Sequence, residues 1–233
     1  MSNTFSVDGF ARDAQAAIKS AETVKDQQVA VKELMTKMYA ENSTDTIVER
    51  LNAAVPPGAN LAEMILFAED DLTLLWGQVP PRFQSAIHNH AVWANIMAVI
   101  GPEKNIIFKE DASGDGTLNV AKEVTVQPGE VLELAPDAIH CIENPTTSPA
   151  RAFHVYGGNF KALDDERDLW SWKAKDKIHF SLEGVMKESL VRMADGGNDV
   201  GLNAVAKAVP KLEPIVEKLK GSAAQGKEGT EAQ

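Results

Sequence analysis

The run PGEVLELAPDAIHCIENP, residues 128–145, sets the fold class of this chain. It holds two short apolar stretches, Val131–Leu134 and Ile139–Glu143, and it begins and ends with turn residues. Apolar runs of about five to eight residues between Pro and Gly breaks are typical of β-strands. The same pattern continues on both sides, so the zone from residue 60 to residue 160 is predicted to consist of strands.

Nine strands are predicted in this zone, and many short strands at such spacing indicate an all-β sandwich or barrel. The predicted strands are Ala62–Phe67, Leu72–Gln78, Ser85–His90, Ala94–Ile100, Asn105–Phe108, Leu118–Val126, Val131–Leu134, Ile139–Glu143 and Arg151–Gly157.

The segment before the strands is predicted to be helical. Apolar residues recur at three- and four-residue steps between Asp8 and Ala40, and no Gly or Pro lies between Phe10 and Ala54. Ser43 is a suitable N-cap for a further short helix. These apolar stripes need burial against the barrel or against another subunit, so a homodimer is one expectation.

The segment after the strands is also predicted to be helical, over Leu163–Trp172, Gly184–Met193 and a last helix from Val205 to Leu219. The small, polar tail is predicted to be disordered. The predicted organisation is therefore a helical segment (1–55), a barrel (56–160), a second helical segment (161–220) and a disordered tail (221–233).

Composition narrows the classes of function. The hydrophobic content of 44% and the charged content of 24% are ordinary for a globular protein. The net charge of −11 argues against nucleic acid and against anionic membrane surfaces. There is no run of 18 apolar residues, the first 15 residues are not expected to act as a secretory signal, and Cys141 is the single cysteine. A reducing, cytoplasmic location is therefore expected.

Three of the five histidines form a candidate metal site. His88 and His90 are two residues apart, so on a strand both side chains point to the same face. His140 starts another strand some fifty residues later and supplies a third imidazole. Neutral imidazole suits iron, zinc, copper and nickel, and three ligands leave positions open for water or substrate. Cys141 points away from the face of His140, which favours a buried structural thiol.

The surroundings of the pair resemble the first motif of the cupin superfamily. That motif is a His-x-His pair, a nearby Glu and a later Gly, and His88, His90 and Gly101 match it. The position of the ligand Glu holds Ala94 or Asn95 here. Thiol dioxygenases similar to cysteine dioxygenase share this absence and bind iron through three histidines.

The surroundings of His140 resemble the second cupin motif, which is a Gly, a Pro, and a His followed four residues on by Asn. Gly129, Pro136, His140 and Asn144 match it. The resemblance covers roughly residues 45 to 175. It implies a cupin double-stranded β-helix, a jelly-roll barrel, flanked here by the N- and C-terminal helices.

The stretch AFHVYGG, residues 152–158, resembles the Ser-x-His-x-Tyr relay of thiol dioxygenases. His154 and Tyr156 match its last two members and share one face of a strand, and the resemblance implies that both are catalytic. Ala152 stands in place of the relay serine, so the outermost hydrogen-bond partner of His154 is missing from the motif.

The resemblance implies an enzyme that oxidises a small thiol with dioxygen to a sulfinate, with Fe(2+) as the expected cofactor and Zn, Ni or Mn as other options. Arg82 lies just before the first metal motif and Arg167 lies in the segment that follows the barrel, so either could reach its mouth, and neither is assigned by a motif as a carboxylate anchor. Two alternatives stay open. One is another metal-dependent cupin enzyme, a dioxygenase, lyase or isomerase acting on a small acid, and the other is a non-catalytic metal-binding cupin.

Overall fold

A computed structural model describes residues 5–57, 64–112, 116–160 and 162–228, with side chains up to residue 222. Residues 62–63, at the start of the first predicted strand, lie outside the described residues. The strands in chain order are β1 Ile65–Glu69, β2 Leu72–Val79, β3 Ile87–His88, β4 Ala94–Ile100, β5 Glu103–Glu110, β6 Leu118–Val126, β7 Val131–Leu134, β8 Ile139–Glu143, β9 Ala150–Tyr156, β10 Asp168–Trp170 and β11 Lys177–His179.

Helices precede and follow the strands. They are α1 Val7–Ser20, α2 Val24–Glu41, α3 Thr44–Ala53, α4 Leu182–Asp195, α5 Asp199–Ala208 and α6 Glu213–Glu228. Within the described ranges, none of them combines the length and the apolar content that a membrane crossing requires.

The strands form two antiparallel sheets, with the orders β1-β2-β9-β4-β7 and β11-β10-β3-β8-β5-β6. Strands β2 to β5 pair in turn with β9, β8, β7 and β6. The chain is thus a long antiparallel ribbon that winds back on itself, which is the jelly-roll arrangement. The predicted fold, a mainly β double-stranded β-helix with helices at both ends, is confirmed.

Period-two alternation decides which side chains face the space between the sheets. On β9, Ala152 and Tyr156 lie in a cluster with Ile96 and Leu134 between the sheets. Phe153 and Val155, the residues between them, lie in the cluster formed with the N-terminal helices on the outer face. His154 has the same phase as Ala152 and Tyr156, so the inner face combines polar and apolar side chains.

The N-terminal helices close the outer face of the five-stranded sheet. Phe10 of α1 meets Phe153 of β9 edge-on, with ring centroids 5.3 Å apart. The Ser43 hydroxyl accepts a hydrogen bond from the Thr46 amide, as the predicted N-cap requires. The predicted apolar stripe is therefore buried within the chain, against the barrel, and self-association stays a prediction.

The C-terminal segment differs from its prediction in three places. The helix predicted over Leu163–Trp172 is wrong, because Leu169 and Trp170 instead pair with His88 and Ile87 on β3. The single last helix is divided after Ala208, where Pro210 begins a short 3₁₀ turn before α6. The tail predicted to be disordered from residue 221 continues α6 to Glu228, and residues 229–233 lie outside the described residues.

Candidate metal centre

Two adjacent strands and the segment after one of them bring three histidines together. His88 on β3 is the register partner of His140 on β8. The strand predicted over Ser85–His90 is shorter in the structure, since β3 holds only Ile87 and His88. His90 lies beyond it, next to Ala91, whose φ of 60° turns the chain. The pair therefore converges through a turn after the strand rather than through strand alternation.

The Nε2 atoms of the three rings converge. His90 Nε2 lies 3.3 Å from His88 Nε2 and 3.2 Å from His140 Nε2. Two nitrogens that bind one ion at about 2.1 Å lie roughly 3.0–3.4 Å apart at bond angles between about 90° and 110°. Both spacings to His90 Nε2 fall in that range, and the ligand atoms of the three residues all lie within 4.8 Å of one another, so the cluster could hold a single metal ion.

The hydrogen bonds of the other ring nitrogens direct lone pairs into the cluster. His88 Nδ1 lies 3.1 Å from the Ala86 carbonyl oxygen, and His140 Nδ1 lies 2.9 Å from Asn105 Oδ1. The carbonyl oxygen and Oδ1 are acceptors, so each Nδ1 carries the proton and each Nε2 is bare. These two bare atoms lie 3.3 and 3.2 Å from His90 Nε2, so a cation bound among the three nitrogens would meet two lone pairs that are free to bind it.

Burial keeps these imidazoles neutral at neutral pH. It lowers the pKa of His88 from 6.5 to about 4. It also lowers the pKa of His90 and His140 well below the ordinary value, assisted by repulsion from the neighbouring histidines. Neutral imidazole is the form that binds a metal ion. The cluster is therefore a candidate centre for a metal, and the identity of the metal is a proposal.

The two residues of the predicted relay lie beside the histidine cluster. His154 Nδ1 is 3.0 Å from the Tyr156 hydroxyl, and the Tyr156 ring meets the His90 ring edge-on at 5.0 Å. Burial raises the pKa of Tyr156 above its ordinary value, so the hydroxyl stays protonated and donates to His154. The structure brings the predicted catalytic and metal-binding residues together, and their roles stay predictions.

Two polar residues of β5, Glu103 and Asn105, were missed by the sequence reasoning. Glu103 is 1% exposed and Asn105 is fully buried. Glu103 Oε2 faces His154 Nε2 at 3.5 Å, and Glu103 Oε1 accepts a hydrogen bond of 3.0 Å from Asn105 Nδ2. The signal that could have found them is their spacing, because polar residues two apart on a buried strand share one face.

A buried arginine lies on the other side of the site. Arg167 is 3% exposed, and its guanidinium lies between the rings of Phe160 and Phe180, 3.8 and 3.6 Å from the two ring centroids. It pairs with Asp164 through Nη2, while Nε and Nη1 have no hydrogen-bond partner among the described residues. Arg82, the other candidate, donates to the Pro145 carbonyl instead.

Neither position of the missing glutamate offers a ligand. Ala94 packs in the cluster between the sheets, next to Tyr156. Asn95 points to the helical side, where its Nδ2 donates to the Gln28 carbonyl. Among the described residues, the group that could hold a metal consists of three histidines without a carboxylate.

Several motif residues have structural roles. Asn144 Nδ2 donates to the carbonyls of Val79, Pro80 and Ser148, which fixes the turn after β8. Gly129 has φ +87°, a conformation that L side chains rarely adopt.

Cys141 is fully buried, as predicted, and burial raises its pKa to about 11. It packs on the outer face of its sheet, away from the histidine cluster. A protonated, enclosed thiol of this kind is structural rather than reactive.

No protein-family model matches the chain, and no curated protein matches it. Among solved structures, a double-stranded β-helix protein from Klebsiella pneumoniae is 13% identical, with a TM-score of 0.35 over 47% of this chain and 87% of that one. Hydroquinone 1,2-dioxygenase from a Sphingomonas species is 11% identical, with a TM-score of 0.37 over 47% and 74%.

A third structure, an RmlC-like cupin family protein from Methanocaldococcus jannaschii, is 13% identical, with a TM-score of 0.33 over 42% of this chain and 79% of that one. Each of these three superpositions spans less than half of the chain. The chain's own strand order and register define its fold.

Proposed function

We propose that this protein is a metal-dependent oxidoreductase that uses Fe(2+) and dioxygen to convert a small thiol to a sulfinate. The supporting observation is a set of three neutral histidines, of which His90 and His140 are buried and His88 is partly buried, with no carboxylate in the group among the described residues. Such a set leaves the full charge of a divalent ion for the substrate to neutralise. A thiolate does so directly, because a thiol that coordinates a metal is deprotonated.

The proposed reaction balances without a further reductant. A thiolate and one dioxygen molecule give one sulfinate, so two S–O bonds form while the O–O bond breaks. Sulfur loses four electrons, and the two oxygen atoms gain four. A bound iron(II) ion would supply a shared coordination site and the redox chemistry for this exchange.

The side chains around the centre would orient the substrate. Tyr156 presents its ring to His90 and keeps its hydroxyl proton, which His154 accepts. Arg167 holds a buried positive charge close enough to lower the pKa of His88 and His90. Its free Nε and Nη1 favour a substrate that carries a carboxylate besides the thiol.

A second candidate is another metal-dependent enzyme, a dioxygenase, lyase or isomerase that acts on a small acid without a thiol. Arg167 favours it equally, since a buried guanidinium recognises the carboxylate and not the sulfur. The absence of the relay serine at Ala152 also agrees with a different reaction. A non-catalytic metal-binding role is the third candidate.

Oxygen uptake separates these candidates. The protein is loaded anaerobically with iron(II) and mixed with cysteine, 3-mercaptopropionate, mercaptosuccinate or cysteamine, which lacks a carboxylate. We expect uptake with one sulfinate formed per dioxygen, weakest for cysteamine, and none in His140→Ala. A protein that holds its iron and consumes no dioxygen with any thiol would contradict the thiol reaction and favour the second candidate.

A further inference from the structure

Glu103 is buried without a Lys or Arg partner among the described residues. The ion pair recorded for it is with His154, and its hydrogen bond is with Asn105. Burial of a carboxyl group is costly unless neighbouring groups compensate it. Its two polar neighbours, His154 and Asn105, in turn contact Tyr156 and His140. Glu103 is thus connected to the histidine cluster, unlike an ordinary surface glutamate.

The two oxygens of Glu103 connect to the site by separate routes. From Oε1 the route runs through Asn105, whose Oδ1 accepts from His140 Nδ1 at 2.9 Å. From Oε2 it runs to His154 at 3.5 Å, and then to the Tyr156 hydroxyl at 3.0 Å. The 3.5 Å separation exceeds a hydrogen bond, and neither Oε2 nor His154 Nε2 has another partner among the described residues.

The donors of both routes point toward Glu103. Tyr156 donates to His154 Nδ1, which leaves the ring proton of His154 on Nε2, facing Glu103. His140 donates to Asn105, and the Asn105 amide donates to Glu103. Glu103 therefore lies at the acceptor end of both routes.

We propose that Glu103 is a positioning residue that serves the metal centre and the tyrosine together. Through Asn105 it keeps the His140 Nε2 lone pair directed into the centre. Through His154 it holds the Tyr156 hydroxyl in place, as the partner that the relay motif lacks at Ala152. The three-histidine ligand set has no carboxylate of its own, and Glu103 supplies a negative charge behind it, separated from His140 by Asn105. This inference rests on the metal-binding part of the proposed function, not on the thiol reaction.

The first test compares metal affinity. Glu103→Gln removes the charge and turns one oxygen into a donor, and Glu188→Gln is the matched control. Glu188, on α4, is also buried, and its carboxylate accepts a hydrogen bond from the Trp172 amide. With Co²⁺ as the probe in chelator competition, we expect a Kd about 10- to 100-fold weaker for Glu103→Gln. Glu188→Gln should bind as the wild type does.

The second test needs no metal. Long-range proton–nitrogen spectra of the metal-free chain report which ring nitrogen of each of its five histidines is protonated. The wild type should show His140 protonated on Nδ1 and His154 on Nε2. Glu103→Gln should change the His154 pattern, while Asn105→Ala should change only that of His140. Because the two arms respond separately, a general loss of folding is distinguishable from loss of positioning.

Unchanged tautomers and a Co²⁺ Kd within threefold of wild type in Glu103→Gln would overturn the proposal. A wild-type chain that binds no metal but shows the predicted tautomers would instead contradict the proposed function. In that case the network would stand as a feature of the barrel interior.

Discussion

The histidines of this chain differ in the groups that hold their ring nitrogens. His88 and His140 are oriented by acceptors on Nδ1, His154 by the hydroxyl of Tyr156, and His179 is exposed beside Asp165. The sequence identified His88, His90 and His140 as candidate ligands because their spacing fits a known motif, and the structure brings the three rings together. It could not predict the role of Glu103, because a single Glu after Pro102 at the start of a strand is typical of a surface residue. Only the fold places its carboxyl group opposite His154.

Replacement of Tyr156 by Phe tests the hydroxyl alone. The ring would keep its packing against His90 and Phe160, and His154 would lose its hydrogen-bond donor. If the phenol assists the reaction, we expect kcat for the best thiol to fall about 100-fold with the iron content unchanged. Turnover within twofold of the wild type would show that Tyr156 is a core residue with a satisfied hydroxyl.

The stability of the metal-free protein should depend on pH in a defined direction. The folded-state pKa of His88, about 4, lies below the unfolded value of 6.5, so the unfolded chain binds a proton more readily. The contribution of His88 to stability is thus complete above pH 6.5 and declines as the pH falls toward 4. Urea denaturation midpoints over this range should decrease for the wild type and decrease less for His88→Asn. His179→Gln, at an exposed position, should leave the dependence of the urea midpoint on pH unchanged.

At the scale of elements, strands with turn residues at both ends were predictable. The bounds of β4, β6, β7 and β8 agree with the alternation of apolar and turn residues. The β10 strand was not predictable, because it forms through pairing with β3 and its own composition does not favour a strand. Pro210 indicates that the last helix is divided. Apolar residues recur at helical spacing on both sides of it, so the segment was predicted as one helix.

The contact between α1 and the sheet should account for a large part of the stability. Phe10 is 6% exposed and meets Phe153 edge-on. Phe10→Ala should lower the free energy of unfolding by about 3–5 kcal/mol, through lost burial and the cavity that remains. Val24→Ala, at an exposed position on α2, is the control and should change it by less than about 0.5 kcal/mol. Equal, small effects in urea denaturation would contradict the packing described for α1.

Gly157 follows the last residue of β9 and lies against the indole ring of Trp93. A Cβ there would lie 2.0 Å from the indole Nε1, so the ring must move to admit a methyl group. Gly157→Ala should cost about 1–3 kcal/mol of stability by overpacking. Gly221→Ala, on α6 with no atom within 4 Å of the added carbon, should instead be neutral or stabilising by up to about 1 kcal/mol. A tolerated Gly157→Ala would show that Trp93 is free to shift.

At the scale of the whole molecule, the winding of the ribbon creates the site. β3 pairs with β8, which carries His140 opposite His88, and β5 pairs with β8 on its other side. This second pairing places Asn105 beside His140 across two strands. The sequence motifs located the ends of these strands, while the register between β5 and β8 follows from the closure of the barrel and is encoded in no local pattern.

The central claim is that His88, His90 and His140 bind one divalent ion, and metal stoichiometry tests it most directly. Metal-free protein is titrated with Co²⁺ under anaerobic conditions, and the bound metal is measured by elemental analysis and by its visible absorption. We expect one ion per chain in the wild type and in His179→Ala, and none in His140→Ala. Equal binding of Co²⁺ by the wild type and His140→Ala, or no binding by either, would contradict the account.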